Sequence, residues 1–268
     1  MKLLDGQVAI VTGGSRGLGR AVAEVMAAAG ASVVVASRNA PELDEVVRDI
    51  RRAGGKALAY AADVADERQV QELVLSTEHW VGPATILVNN AGVLEPMAPL
   101  ARTDATMWLR HIAVNVGGVY LAARAVLPGM LERGYGRIVN VSSGAARRAS
   151  AGWTAYCASK AAVDQLTRAL ALEIEDTGVT VCAFAPGYID TAMQERIRRA
   201  SPEDFPRVEE YREAHRQGKL RDPHEAARTL AYLASPQAER NGQVLDMADE
   251  ELHREAERSL AAEVAASS

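Results

Sequence analysis

The stretch Gln7–Gly19, QVAIVTGGSRGLG, joins a short apolar run to a glycine-rich turn. The apolar run has the character of a β-strand buried on both faces, because it lacks the alternation of a half-exposed strand. The glycines follow with the spacing G-x-x-x-G-x-G from Gly13 to Gly19, and a helical pattern begins behind them. A strand, a glycine turn and a helix in this order are typical of a nucleotide-binding α/β unit. A tight strand-to-helix connection without a ligand is the alternative interpretation.

Apolar, β-branched runs alternate with helical patterns along the rest of the chain. Helix-ending and helix-starting residues such as Gly30, Pro41 and Asp66 separate them. The pattern predicts an α/β fold of Rossmann type, in which a doubly wound, mostly parallel seven-stranded sheet is flanked by helices and binds ligands at the carboxyl ends of its strands. The predicted strands are Gln7–Thr12, Ser32–Ala36, Ala57–Ala61, Thr85–Val88, Arg137–Val141, Val179–Ala185 and Gln243–Met247.

The chain has 268 residues, of which 48% are hydrophobic and 24% are charged, an ordinary balance for a globular protein. No linker or internal repeat divides it, so we expect a single domain over residues 1–249. Within it, the charged segment at about 190–220 is expected to form a lid over the ligand site. Residues 250–268 are expected to be a helical or disordered tail, solvated rather than docked. Its apolar helical face consists of Leu252, Ala256, Leu260 and Val264.

The net charge of −5 argues against nucleic acid or an anionic membrane as a partner. Two cysteines, Cys157 and Cys182, are too few for a disulfide framework or a metal cluster, so no metal site is predicted. We recognise no signal sequence and no run that approaches transmembrane length. These observations predict a cytoplasmic protein that acts on a small molecule.

The end of the second strand indicates which dinucleotide the site would hold. A site for NAD usually has an acidic residue there, which accepts from the ribose 2′-hydroxyl. This chain has Ser37 and Arg38 instead, with Arg16 in the glycine turn, and no carboxylate is expected beside them. Two guanidinium groups and a hydroxyl suit a 2′-phosphate, so NADP(H) is the predicted cofactor. The alternative for Arg38 is a solvated surface side chain.

The third strand ends in Asp63-Val64, which is placed to meet the adenine edge of the same ligand. Asp63 is equally suited to forming a turn. Both interpretations stay open.

Tyr156 and Lys160 lie one helical turn apart, and Ser143 precedes the tyrosine by thirteen residues. Lys160 is one of only four lysines among the 30 basic residues of the chain. A free phenol has a pKa of about 10 and is a poor acid or base at neutral pH. We expect the ammonium of Lys160 to lower the pKa of Tyr156, while Ser143 donates to a substrate oxygen. A buried tyrosine, a surface lysine and a turn serine are the structural alternative.

Together these motifs resemble the short-chain dehydrogenase/reductase family over about Leu4–Met247. The resemblance rests on Thr12–Gly19, Asn89-Asn90-Ala91-Gly92, Asn115, Ser143, Tyr156 with Lys160, and Pro186-Gly187 with Thr191. It implies the catalytic set Asn115, Ser143, Tyr156 and Lys160, in which Asn115 anchors a water chain and Lys160 also holds the nicotinamide ribose. It implies that Thr191 and the Ile189 backbone hold the carboxamide. The implied cofactor site consists of Gly13, Ser15, Arg16, Gly17, Leu18, Gly19, Ser37, Arg38, Asp63, Val64, Asn90, Ala91, Gly92, Tyr156, Lys160, Pro186, Gly187, Ile189 and Thr191.

The carboxyl-terminal half is similar to sepiapterin reductases and bacterial benzil reductases. The shared pattern includes Gly152-Trp153, Asp190-Thr191-x-Met193-Gln194 and the ending Gly242–Met247. The resemblance implies a substrate site of Ser143, Trp153, Tyr188 and Asp246, with Asp246 anchoring an N–H-rich heterocycle. A local strand-end role for Asp246 and a core role for Trp153 are the alternatives.

The sequence therefore predicts an NADPH-dependent carbonyl reductase, with Tyr156 as general acid, acting on a dicarbonyl or a pterin side-chain ketone. One alternative is a 3-oxoacyl reductase, in which Arg147 and Arg148 receive an acidic carrier protein or a phosphate, or a general alcohol dehydrogenase of the same family. A non-catalytic NADPH-binding sensor or scaffold is the alternative from another class. Apolar helix faces over Thr103–Leu131 and Thr154–Asp176, with the family resemblance, predict a homodimer or homotetramer.

Overall fold

A computed structural model describes the backbone of residues 2–266 and the side chains of residues 2–260. Its strands are β1 (Val8–Thr12), β2 (Ser32–Ser37), β3 (Lys56–Ala61), β4 (Ile86–Asn89), β5 (Gly136–Val141), β6 (Val179–Ala185) and β7 (Val244–Asp246). They form one seven-stranded sheet in the order β3-β2-β1-β4-β5-β6-β7. Each neighbouring pair is parallel. The predicted α/β sheet is confirmed, and it is parallel throughout.

Ten α-helices surround this sheet in the described residues. They are α1 (Gly17–Ala28), α2 (Ala40–Arg52), α3 (Glu67–Trp80), α4 (Ala105–Ile112), α5 (Gly118–Arg133), α6 (Thr154–Glu173), α7 (Ala192–Arg198), α8 (Val208–Arg216), α9 (Pro223–Leu233) and α10 (Glu250–Ala266). A π-helical turn, Ala113–Gly117, joins α4 to α5.

Helices cover both faces of the sheet, so its inner strands are apolar on both sides. Every residue of β1, β4 and β5 is buried. Helices α1, α2, α9 and α10 pack on one face, and α3, α5 and α6 pack on the other. The edge strands β3 and β7 depart from the sequence expectation of full burial, because each has a neighbour on one side only.

The strand order reverses between β1 and β4, which lie side by side at the centre of the sheet. Strands β2 and β3 extend from β1, whereas β5, β6 and β7 extend from β4. Loops that leave such a switch point run to opposite faces and leave a crevice at the carboxyl ends of the strands. The fold therefore places a ligand crevice beside the glycine turn after β1.

Helices α7 and α8 lie beyond this crevice and pack against the start of α6 through a small aromatic cluster. Trp153 stacks on Phe205 with ring centroids 4.4 Å apart, and Tyr211 lies 5.6 Å from Trp153. Its buried residues are Leu94, Trp153, Tyr156, Ile197, Phe205, Val208 and Tyr211. The segment at about 190–220 is thus anchored by apolar packing, and its role as a lid stays a prediction.

The stretch Ala105–Arg133 is helical over 29 residues and has a mean hydropathy of 1.3 in its most apolar window. By length and composition it is therefore long enough to span a membrane, and the expectation that no run approaches this length is wrong. The stretch packs on β4, β5, α3 and α6, as the core helix of an α/β sheet does. Its outer face carries exposed apolar residues, among them Met107, Leu109 and Tyr120.

The carboxyl-terminal helix α10 packs on α9, which corrects the expectation of a solvated tail. Leu252 is 2% exposed and Ala256 is fully buried, and both join the core cluster on that face of the sheet. Leu260 packs against the same cluster, whereas Val264 lies outside the residues whose side chains are described. The helix docks because its apolar face meets an apolar surface on α9.

Docking of α10 predicts a stability cost when its main contact is truncated. Leu252→Ala should lower the free energy of unfolding by about 2–4 kcal/mol, because it removes buried methyl groups and leaves a cavity. Urea unfolding followed by circular dichroism measures this change. Leu75→Ala is the control, since Leu75 is 65% exposed; an equally small effect of both substitutions would contradict the docking.

Candidate active site

A cavity of about 1200 Å³ opens at the crevice and runs from the glycine turn to α7 and α8. It exceeds the range of about 300–1,000 Å³ for a pocket that holds one small ligand, so a dinucleotide and a substrate have room together. Every predicted cofactor, catalytic or substrate residue lines this cavity except Asn115. Asn115 lies behind the wall, where its side chain bonds to the backbone of the lining residue Val93.

Close packing explains the glycines of the turn after β1. A Cβ atom at Gly13 would lie 2.8 Å from Cα of Ala91, and one at Gly19 would lie 2.3 Å from the Gly13 carbonyl oxygen. The Asn90 amide donates to the carbonyl oxygens of Thr12 at 3.0 Å and of Gly13 at 3.1 Å. Asn90 therefore holds the turn from the loop after β4. The first residues of α1 line the cavity, and their free N–H groups favour an anion.

Two arginines stand at the end of the cavity beyond the glycine turn. Arg16 and Arg38 both line it and both are exposed. Among residues 2–260 neither of them forms an ion pair, in contrast to the arginines near α7 and α8. Ser37 lies at the same end, and its hydroxyl accepts from the Asn39 backbone at 3.2 Å. The two guanidinium groups are free to meet a phosphate there.

Glu42 corrects one part of the cofactor prediction. Its carboxylate, in the first turn of α2, accepts from Ser15 Oγ at 2.9 Å and lines the same end of the cavity. The expectation that no carboxylate lies beside the arginines is therefore wrong. The sequence pattern at the strand end did not predict Glu42, because this residue belongs to the next helix. Its negative charge opposes a 2′-phosphate and offsets part of the arginine charge.

Asp63 forms a turn, which is one of the two roles that its sequence position allows. Its carboxylate accepts from the Ala65 backbone at 3.0 Å and pairs with Arg110 of α4. Val64 is buried against Gly118, where a Cβ atom would lie 2.8 Å from Val64 Cγ2. Both residues line the cavity, so the adenine role predicted for Asp63 would share its carboxylate with an arginine.

Tyr156 and Lys160 are buried on the inner face of α6. Lys160 Nζ lies over the Tyr156 ring, 5.8 Å from its centroid, and donates to the Val141 carbonyl oxygen at 2.7 Å. Burial raises the pKa of Tyr156, and the Ser143 hydroxyl beside it opposes the rise. The expected lowering of the Tyr156 pKa by Lys160 is not found, because loss of hydration raises this pKa and outweighs the Ser143 hydrogen bond. The phenol is protonated at neutral pH and can donate a proton.

Burial also lowers the pKa of Lys160 to about 8, and Asp164, one turn further along α6, opposes the change. Asp164 is itself buried and accepts a short hydrogen bond from Ser142 at the end of β5. Ser143 follows directly, and its hydroxyl accepts from the Ala145 backbone at 3.2 Å. Asp164 was not predicted, although its spacing from Lys160 puts it on the same helical face. Its negative charge acts on the lysine, and its hydrogen bond reaches the strand end that carries the serine.

Asn115 lies in the π-turn between α4 and α5, a distortion often found at functional sites. Its Oδ1 accepts from Val93 N at 2.8 Å, and its Nδ2 donates to Val93 O at 2.9 Å. Nδ2 also lies 2.8 Å from Nε2 of His111, a fully buried histidine that sequence reasoning missed. The i, i+4 spacing of His111 and Asn115 in one helical stretch is the sequence signal that could have indicated their contact.

The loop after β6 carries the residues predicted to meet the nicotinamide. Pro186, Gly187, Ile189 and Thr191 all line the cavity. Thr191 precedes α7 and closes on the glycine turn, because a Cβ atom at Gly17 would lie 3.2 Å from Thr191 Cγ2. The ends of β1 and β6 therefore approach each other across the cavity.

Aromatic residues form the wall on the side of α7 and α8. Trp153 is 3% exposed, stacks on Phe205 and lies 5.1 Å from Tyr156, so it is both a core residue and part of the wall. Tyr188 lies 5.1 Å from Tyr211 of α8, which was not predicted from the sequence. Burial raises the pKa of Tyr211, so its hydroxyl stays neutral.

Asp246, at the end of β7, lines the cavity and pairs with Arg147. Its carboxylate also accepts from the Ala248 backbone at 2.9 Å, as the strand-end interpretation proposed. An N–H-rich substrate would therefore compete with an arginine for this carboxylate. Its role as a substrate anchor stays a prediction.

Residues 7–202 match the family described as short chain dehydrogenase. The chain belongs to this family. The resemblance found in the sequence motifs is thereby confirmed at the level of the family, while the narrower resemblance to sepiapterin reductases stays a prediction.

The chain is similar to two curated relatives and one solved structure of the family. Cis-4-hydroxycyclohexanecarboxylate dehydrogenase of Sinomonas cyclohexanicum is 38% identical over 87% of this chain and 90% of its own. A 3-oxoacyl-[acyl-carrier-protein] reductase of Synechocystis is 38% identical over 89% of this chain and 93% of its own. A variant of actinorhodin polyketide ketoreductase, solved with NADPH, superposes with a TM-score of 0.83 and 33% identity, covering 92% of this chain and 97% of that one.

The short chain dehydrogenase is thus an oxidoreductase of CH–OH and C=O groups, from a family that uses a nicotinamide dinucleotide. The residues present fit such a group, because the glycine turn and the start of α1 line a cavity with room for a dinucleotide. Within the described residues, no group of three or more His, Cys, Asp or Glu is arranged to hold a metal ion.

The lowered pKa of Lys160 predicts how stability depends on pH. The folded protein releases the Lys160 proton near pH 8, whereas the unfolded chain keeps it up to the ordinary value of 10.5. The unfolded state then binds more protons between these values, so the free energy of unfolding should rise with pH across this window. Relative to Lys160→Met, the gain should be on the order of 3 kcal/mol.

Urea unfolding of the wild type and Lys160→Met at several pH values within this window measures the difference. Lys56→Met serves as the control, because Lys56 is exposed. A difference between wild type and Lys160→Met that does not change with pH would show that Lys160 is hydrated.

Proposed function

We propose that this short chain dehydrogenase is an NADPH-dependent carbonyl reductase that acts on a dicarbonyl or on a pterin side-chain ketone. One observation carries the proposal: a buried, protonated tyrosine lies beside a serine and a lysine in a cavity that begins at a dinucleotide turn. Those groups are Tyr156, Ser143 and Lys160. Their arrangement supplies a proton donor where a ligand of the cavity would react.

Tyr156 is in the protonation state that reduction of a carbonyl requires. A carbonyl oxygen that becomes an alcohol must take up a proton, and the buried phenol holds one at neutral pH. When bound, a reduced nicotinamide supplies the hydride. Ser143 would donate a hydrogen bond to the same oxygen, and the Lys160 ammonium would stabilise the phenolate left after proton transfer.

The preference for NADPH is supported by the free guanidinium groups of Arg16 and Arg38 at the outer end of the cavity. A charge-assisted hydrogen bond contributes about 1.5–3 kcal/mol, which corresponds to roughly a 10- to 100-fold preference for the 2′-phosphate. Glu42 acts in the opposite direction and reduces this preference. The balance of these three charges would set the selectivity between NADPH and NADH.

A flat substrate is supported by the aromatic wall of the cavity. Trp153, Tyr188 and Tyr211 line it beyond Tyr156, and Tyr211 offers a neutral hydroxyl to a second oxygen of a dicarbonyl. Asp246 lies at the same cavity and would meet the N–H edge of a pterin if it exchanged Arg147 for the ligand.

A 3-oxoacyl substrate is the second candidate, and one observation favours it. Arg148 lines the cavity and is 70% exposed, so it would meet a phosphate of an acyl carrier at the entrance. The Synechocystis relative is a reductase of this class. A non-catalytic sensor is disfavoured, because Ser143, Tyr156 and Lys160 are present with acid–base geometry.

We also propose that the protein forms a homodimer or a homotetramer through α4, α5 and α6. The outer face of these helices carries exposed apolar side chains, which are costly to leave in water. They are Met107, Leu109, Tyr120, Leu131 and Leu172. The mass in solution from sedimentation analysis tests this, and a monomer would refute it.

Tyr156→Phe is the first test of the reductase. The substitution removes the proton donor and keeps the ring, so turnover should fall by about 10²-fold or more while NADPH affinity is retained. NADPH oxidation with sepiapterin and with benzil measures this, and Tyr60→Phe, outside the cavity, is the control. Turnover by Tyr156→Phe comparable to wild type would remove the tyrosine from the mechanism.

Substitutions at the outer end of the cavity test cofactor choice. Arg38→Asp should move the ratio of kcat/KM for NADPH and NADH toward NADH by roughly 10- to 100-fold. Glu42→Gln should move it toward NADPH, because a negative charge beside the 2′-phosphate is removed. Arg48→Asp on the exposed side of α2 controls for net charge. An unchanged ratio in both test variants would refute a 2′-phosphate site at this position.

A further inference from the structure

A buried histidine connects three segments of the active site. His111, in the last turn of α4, is fully buried. Its Nδ1 lies 2.8 Å from the Glu95 carbonyl oxygen in the loop after β4. Its Nε2 lies 2.8 Å from Asn115 Nδ2 in the π-turn and 3.1 Å from Ser159 Oγ on α6. Ser159 directly precedes Lys160, so these contacts reach the catalytic helix.

The partners of the ring determine its tautomer. A carbonyl oxygen accepts only, so Nδ1 must carry the hydrogen that bonds to Glu95. In the neutral ring Nε2 then has a free lone pair. That lone pair accepts from Asn115 Nδ2, which is a donor only.

The Asn115 amide cannot reverse its orientation to suit a different partner. Oδ1 accepts from Val93 N, and the first Nδ2 hydrogen bonds to Val93 O. A flip of the amide would place the donor Nδ2 against the donor Val93 N and the acceptor Oδ1 against the acceptor Val93 O. The second Nδ2 hydrogen then has His111 Nε2 as its nearest acceptor, at 2.8 Å, with Ser159 Oγ further away at 3.4 Å.

We propose that neutral His111 is a positioning residue, which holds the Asn115 amide and with it the π-turn behind the proton-donating tyrosine, and which releases this hold when it takes up a proton. The inference rests on the proposed reductase, because Asn115 enters catalysis through the family resemblance as the anchor of a proton-supplying water chain. A protonated ring would present Nε2–H to the Nδ2 hydrogens of Asn115. Ser159 Oγ, 3.1 Å from Nε2, would accept that hydrogen, and Asn115 Nδ2 would lose its acceptor on the ring.

The surroundings of His111 oppose its protonation. Burial lowers its pKa below the ordinary value of 6.5, and the Lys160 charge on α6 adds to this effect. The carbonyl and carboxylate of Glu95 act in the other direction, and that carboxylate is paired with Arg196 of α7. Tyr156 presents its ring edge-on at 6.0 Å and carries no charge. At neutral pH the His111 ring is therefore neutral and accepts the hydrogen bond from Asn115, and at acid pH this hydrogen bond is lost.

Two substitutions separate positioning from packing. His111→Gln keeps a side-chain carbonyl acceptor that does not titrate, so kcat at neutral pH should stay within about threefold of wild type. The fall of kcat on the acid side, which the wild type should show below pH 6.5, should disappear in this variant.

His111→Phe removes the acceptor and should lower kcat by about 10- to 100-fold at every pH, with KM for NADPH unchanged. His79→Gln, at an exposed position on α3, should keep the wild-type profile.

A second measurement does not depend on turnover. The side-chain amide resonances of Asn115, assigned by their loss in Asn115→Asp, should shift with pH together with the His111 ring in the wild type and remain constant in His111→Gln. An unchanged acid profile in His111→Gln, or an Asn115 resonance that ignores the state of His111, would overturn the inference. If the wild type reduces no ketone while the two resonances shift together, the proposed function fails and the coupling of His111 to Asn115 stands.

Discussion

The active site depends on keeping a lysine charge inside the protein, at the carboxyl edge of a parallel sheet. Burial removes the hydration of Lys160, and its pKa falls to about 8. The Val141 carbonyl at the end of β5 and the Asp164 carboxylate on α6 replace part of that hydration. The Val141 carbonyl is available to Lys160 only if α6 packs against β5 in the observed register. The same packing buries Tyr156 beside the lysine and keeps its proton in place.

Buried polar contacts hold the loops around this helix, since apolar packing alone does not set their orientation. Asn90 holds the glycine turn after β1. Asn115 holds the loop after β4, and His111 holds Asn115 in turn. Asp164 accepts from Ser142, which precedes the predicted catalytic residue Ser143. His111 and Asn115 lie four residues apart, but the other contacts join residues at least 22 positions apart, so the site is assembled only in the complete fold.

The two ends of the cavity differ in what sets their specificity. At the outer end, exposed charges compete for one position, because Arg16 and Arg38 favour a phosphate while Glu42 opposes it. At the inner end, aromatic rings from α6 and α8 shape the wall, and Tyr211 adds a neutral hydroxyl. The short chain dehydrogenase scaffold supplies the chemistry between these ends. In the proposed reductase, cofactor choice would depend on the charges near α2 and substrate choice on the side chains of α8.

The sequence by itself determined the sheet, the glycine turn and the pairing of Tyr156 with Lys160, because periodicity and motif spacing are local properties of the chain. The tertiary structure alone decided that Glu42 lies on Ser15, that His111 meets Glu95 and Ser159 and that α10 docks on α9. It also decided that the pKa of Tyr156 rises. These features depend on hydration lost and partners gained between segments far apart in the sequence. Neither quantity can be read from a local pattern, because burial exists only after the chain has folded.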